Sequence, residues 1–115
     1  MTQPDAPRGV SLRDLQLAVK DFAAARGWLP LHNPRNLAEA IVIEAAELLE
    51  CFQWRTDQSC ELVNLDHSTR ASIQSELADV VIYLLNLANA LEIDALEAVE
   101  RKLDHNTKRF PPSQA

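Results

Sequence analysis

The 115-residue chain contains only two glycines, Gly9 and Gly27. A tight β-hairpin turn needs positive φ at one or two positions, and glycine adopts it at least cost. So small a supply argues against a hairpin-rich β fold. The abundant Leu, Ala and Glu favour helix instead. Hydrophobic residues form 47% of the chain, enough for a modest core in one domain.

Periodicity divides the chain into four helices. Residues 1–10 hold Pro4, Pro7 and Gly9 and read as a loose N-terminal arm. Residues 11–112 then form one domain, and 113–115 a tail. Ser11 is an expected N-cap, with Asp14 completing a box-like start. Leu12, Leu15, Val19 and Phe22 recur at steps of three and four, predicting an amphipathic helix to about Arg26, stopped by Gly27. Pro30 and Pro34 make Trp28–Arg35 a loop. Asn36 is expected to cap a second helix over roughly 37–54. Polar residues 55–68 read as turns, followed by helices over roughly 69–91 and 95–108. Pro111 and Pro112 end the last. Short connections imply an all-α, four-helix bundle-like protomer with helices 2 and 3 at its centre.

The net charge of −6 disfavours binding to a nucleic-acid polymer, which needs a basic surface. It leaves a nucleotide ligand open where a divalent cation lies between protein and phosphates. Cys51 and Cys60 match no zinc spacing and are too few for a disulfide scaffold, so a reducing cytoplasm is expected. The first ten residues lack the apolar core of a signal peptide. The longest apolar run, Val80 to Leu85, is too short to cross a membrane.

Helices 2 and 3 carry the chemistry. Both are apolar almost all round, and such helices are usually buried. Each nevertheless bears an acidic pair at i, i+3, Glu44 with Glu47 and Glu76 with Asp79, a spacing that puts both members on one face. No Lys or Arg occurs between Asn36 and Trp54 or between Ala71 and Glu100. Buried carboxylates without cationic partners carry a desolvation cost that a metal would remove. With only oxygen ligands on offer, the metal is expected to be Mg²⁺, with Mn²⁺ as a substitute. The alternative is a solvated acidic surface, since E-x-x-E steps are common on helices. Glu39 and Glu50 fit solvent or ion-pair roles better than ligation.

The pattern E-x-x-E, 28 residues, E-x-x-D resembles the signature of the MazG-like all-α nucleoside triphosphate pyrophosphohydrolases. Flanking residues draw it towards the dCTP pyrophosphatase branch: His32-Asn33-Pro34-Arg35-Asn36-Leu37, Phe52-Gln53-Trp54, Asp79-Val80-Val81-Ile82-Tyr83, and Lys102 with Asn106. The resemblance spans about residues 11–112. It implies Mg²⁺-dependent cleavage of a nucleoside triphosphate between the α- and β-phosphates, and a homotetramer. It implies that Glu44, Glu47, Glu76 and Asp79 bind the metal. By the same carry-over Trp28 and Trp54 border the base, while Tyr83, Lys102 and Asn106 lie near sugar and phosphates. That branch carries a histidine nine residues before the first tryptophan, where this chain has Val19. The expected pocket therefore works by stacking and shape, and prefers a pyrimidine triphosphate, dCTP or a 5-modified form, by only a modest margin over other deoxynucleotides.

Glu47 is the expected general base, because neighbouring like charges raise a carboxylate's proton affinity. Lys102 is expected to stabilise phosphate charge. Plainer roles exist for each: core aromatics for Trp28 and Trp54, a core tyrosine for Tyr83, and a helix-end cation for Lys102. His32 reads as a loop anchor. Competing functions are a phosphoribosyl-ATP pyrophosphohydrolase with a different pocket, and a non-catalytic helical dimerisation or regulatory module.

Overall fold

The structure, a computed structural model, describes residues 10–113. Nearly all of the expected arm, residues 1–9, and the last two residues of the expected tail lie outside them. Among the described residues four helices make up the fold: α1 (Leu12–Ala25), α2 (Pro34–Glu50), α3 (His67–Ala90) and α4 (Ala95–Arg109). Short 3₁₀ turns occupy Leu29–Leu31, Gln58–Cys60 and Leu62–Asn64. Among the described residues no helix is long and apolar enough to cross a membrane.

Side-chain caps set the helix starts. Ser11 and Asp14 form a reciprocal capping box on α1, as the sequence predicts. Helix α2 begins earlier than expected, because the Asn33 side chain accepts from Asn36 N–H at 2.8 Å. Pro34 thereby falls in the first turn, where a missing N–H removes no helical bond. Asp66 and Asp94 cap α3 and α4 in the same way. Helix α2 ends at Glu50, so Cys51–Trp54 form a turn rather than the expected last helical turn. Gly27 follows α1 with φ +69°, the left-handed geometry of a helix stop.

The most extensive contact is α2 against α3; α1 packs on α3, and α4 rests on α1. The arrangement is an all-α bundle with α3 as its central member. Its buried apolar residues among those described are Ala23, Leu37, Leu85 and Ala88. The expectation that α2 is buried all round is not met. Val42, Ile43 and Leu49 on α2 are exposed, as are Leu77, Val81 and Leu84 on α3. The physical reason is that, among the described residues, α2 packs chiefly on α3 and its other face meets no second layer.

Gln16 ties the ends of the bundle together. It is buried, donates to the Ile93 carbonyl at 2.7 Å and accepts from Ala95 N–H at 2.9 Å. The turn into α4 is thereby fixed to α1. An exposed Arg13–Asp94 ion pair at 2.7 Å lies beside it and adds little, being open to solvent.

Candidate active site

The α2–α3 contact brings three carboxylates together. One oxygen from each of Glu44, Glu47 and Glu76 lies within 4.8 Å of the others. Desolvation, followed by contact with Glu47, raises the pKa of Glu44 and of Glu76 above the ordinary range. Glu47 therefore stands between its two neighbours. Asp79 is outside the tight trio, yet its charge still acts on both Glu44 and Glu76. Its side chain is one methylene shorter and reaches less far. No ion pair among the described residues involves any of the four acids. Glu39 pairs with Arg35 at 3.5 Å, and Glu50 is exposed, in keeping with their expected roles.

Two further observations bear on whether a metal fits. Glu44 Oε2 and Glu76 Oε2 are buried and have no hydrogen-bond partner. The donor set is oxygen alone. Opposed ligands of an octahedral Mg²⁺ with bonds of about 2.1 Å lie about 4.2 Å apart, so the trio needs only small side-chain adjustments. The residues present fit a hard divalent cation.

A depression of about 310 Å³ adjoins the cluster and shares Glu47 and Glu76 with it. Arg55 forms another wall, donating to Thr69 Oγ1 at 3.0 Å and to the Ser59 carbonyl at 3.3 Å. This cation escaped the sequence analysis. Its signal was available: it is the first basic residue after the acid-bearing helix.

A second cavity, of about 410 Å³, opens between α1 and α3. Val19 and Phe22 of α1 face Tyr83 and Asn86 of α3, with Trp28 and His32 from the connecting loop. Trp28 meets Phe22 edge-on, with ring centres 5.7 Å apart at 71°. Glu76, Asp79, Tyr83 and Asn86 follow one another along α3 at steps of three, four and three, so they share a face. The apolar pocket and the acid cluster thus lie along one stripe of α3.

Trp28, Tyr83 and Val19 are brought into one cavity, whereas the other expected substrate residues are elsewhere. Trp54 does not line the pocket. It is 93% exposed and holds φ at +67°, a left-handed conformation costly for a bulky residue. Lys102 is exposed on α4 and Asn106 is half-buried there; neither lines the pocket or the acid-edged depression. Beside the stacking surfaces expected of this pocket, His32 and Asn86 are also in its wall. The α3 periodicity could have found Asn86, a polar residue three positions after Tyr83.

Comparison with known proteins gives a consistent picture. A profile of the MazG-like family matches residues 40–115. The chain is 43% identical over 101 residues to dCTP pyrophosphatase 1 of Homo sapiens, covering 88% of this chain and 59% of that protein. The Mus musculus protein of the same name is 42% identical over the same length. The chain spans about three fifths of the length of these curated relatives. Among solved structures, a pyrophosphatase from Archaeoglobus fulgidus is 42% identical with a TM-score of 0.75, the match covering 86% of this chain and 91% of the other.

Proposed function

The chain belongs to the MazG-like family, and on that premise we propose that it is a Mg²⁺-dependent pyrophosphohydrolase. Its substrate in this reading is a pyrimidine deoxynucleoside triphosphate, dCTP or a 5-modified form, cleaved to monophosphate and pyrophosphate. The observation that carries the proposal is the carboxylate trio with its two buried, unpartnered oxygens. Relatives named dCTP pyrophosphatase support the choice of substrate.

Glu44, Glu47 and Glu76 would hold the cation, with Asp79 beside them. When bound it supplies Lewis acidity and charge neutralisation at the phosphates. Glu47, flanked by two carboxylates, accepts a proton from the attacking water. Arg55 places positive charge at the edge of the cluster, where the departing pyrophosphate needs it. Trp28 and Tyr83 border the base from the neighbouring cavity. Lys102 and Asn106 line neither cavity within one chain, so their proposed contacts with phosphates and sugar would be made to a site on another copy in the assembly.

The working form in this proposal is a homotetramer. The exposed apolar residues of α2 and α3 support an assembly, since monomers seldom cluster so many large apolar side chains on packed helices in the open. Trp54 can help enclose a base only when another surface covers it. Light scattering after size exclusion reads the assembly order directly.

The activity is tested by offering all nucleoside triphosphates with Mg²⁺ and scoring pyrophosphate release. Release from a pyrimidine deoxynucleotide, lost with chelator, supports the reading. Absence of release from every triphosphate overturns it.

A further inference from the structure

Two polar side chains are buried among the described residues, and they are satisfied very differently. Gln16 uses both ends of its carboxamide on backbone groups. Asn86 is only 8% exposed, yet its Oδ1 is buried without a hydrogen-bond donor. A buried amide left unpaired is destabilising, and an apolar residue of similar size would remove that cost. The position therefore calls for a partner from outside the chain.

The surroundings leave room for one. Asn86 is in the wall of the 410 Å³ pocket and also of a smaller cavity of about 230 Å³ beside Lys20, Leu29 and His32. Asn86 thus lines open space on two sides, and a turn of its side chain brings the buried oxygen to either cavity. The first pocket is otherwise largely apolar, and Val19 across from Asn86 offers nothing to a polar ligand. Trp28 and Tyr83 in the same cavity present flat surfaces suited to a heterocycle.

We propose that Asn86 determines base specificity, its carboxamide hydrogen-bonding the amino edge of a cytosine-type base bound in this pocket. A carboxamide sets an acceptor beside a donor. Cytosine sets the complementary pair, the 4-amino donor and the N3 acceptor, on one edge. The acceptor with no partner in the protein is the one the 4-amino group satisfies. Rotation about the last side-chain bond decides which amide atom faces the base, so the pair can be presented in the required order. The inference rests on the pyrophosphohydrolase reading and adds to it the group that tells one pyrimidine from another. A site with such a buried amide rejects analogues that leave it unpaired.

The test compares dCTP with its 4-deamino analogue, the 2-pyrimidinone deoxynucleoside triphosphate, as substrates of the wild-type protein and of Asn86→Leu. Wild type is expected to favour dCTP by roughly 10- to 100-fold in kcat/KM, the range for one or two hydrogen bonds at a buried site. In Asn86→Leu the two substrates should fall within about threefold of each other, the loss residing in the KM for dCTP. Thermal unfolding of the variant checks the fold, and Asn86→Ala repeats the comparison should leucine overfill the site. A preference for dCTP that persists in both variants overturns the assignment, as does a uniform loss on both substrates, which marks a structural role. If wild type releases pyrophosphate from no triphosphate, the enzymatic reading fails and this inference goes with it, a result distinct from an unchanged ratio.

Discussion

Replacing Gln16 by leucine and Asn86 by leucine applies nearly the same chemical change at two buried sites, with opposite expected signs. At Gln16 the change removes two hydrogen bonds, of 2.7 and 2.9 Å, and strands the Ile93 carbonyl and the Ala95 N–H. Each lost bond with its stranded partner costs about 1–2 kcal/mol, and the added apolar burial returns about 1 kcal/mol. The net loss is about 2 kcal/mol. In a domain of this length each kcal/mol moves Tm by about 4–5 °C, so Tm should fall by about 8–10 °C. At Asn86 no bond is lost, because Oδ1 has no donor. Relief of the unpaired acceptor is worth about 1–2 kcal/mol, and Tm should rise by about 4–10 °C. Circular dichroism melts of the metal-free proteins measure both. Hydrogen exchange adds a local readout, since amides of α4 should lose protection in Gln16→Leu alone. A fall in Tm for both variants, or a change below about 2 °C for Gln16→Leu, would show that satisfaction of these two amides does not govern their energetics.

Four further outcomes follow from the site. Glu44→Gln, Glu47→Gln, Glu76→Gln and Asp79→Asn should each lower turnover at least about a hundredfold with the fold intact, and near-normal activity in any two refutes the cluster. Mg²⁺ at a few millimolar should raise Tm by binding the folded site, so an unchanged Tm on starting from metal-free protein favours a non-catalytic module. Glu44 and Glu76 have raised pKa values in the fold, so the folded state binds more protons than the unfolded one above glutamate's ordinary range, and metal-free stability should increase as pH falls from 7 towards 5. Below that the sign reverses, because the lowered pKa values of Asp14, Asp66 and Asp94 make their capping contributions vanish on protonation; a Tm that declines steadily from pH 7 downwards contradicts the crowded trio. Trp28→Ala should mainly raise KM, since stacking acts in ground and transition states alike, and a loss confined to kcat would count against a base-bordering role.

The helices were legible because Leu12, Leu15, Val19 and Phe22, and their counterparts further on, mark faces by spacing alone. Their starts were less so. Asn33 and Asn36 are both capping residues, and choosing between them needed the fact that Pro34 is harmless in a first turn. The acid trio was legible since its two i, i+3 steps lie on helices with no cation of their own. Its tightness was not, as the shorter reach of Asp79 depends on how α2 and α3 meet. Arg55, His32 and Asn86 were missed as pocket residues for a shared reason. Each acquires its surroundings from another element: Thr69 for Arg55, and α1 laid against α3 for the other two. The exposure of α2's outer face likewise follows from layer count, which hydrophobic pattern does not reveal.

The two tryptophans differ sharply in their surroundings, and this gives the protein a pair of built-in optical reporters. Trp54, 93% exposed, should emit at the red end of the indole range and be quenched readily by iodide. Trp28, 43% exposed and edge-on to Phe22, should emit further to the blue and resist the same quencher. Phenylalanine at either position isolates the other signal. The Trp28 emission then follows whatever enters the cavity between α1 and α3. The Trp54 emission follows whatever covers the turn after α2, so occupancy and association can be watched separately, in one cuvette, without a label.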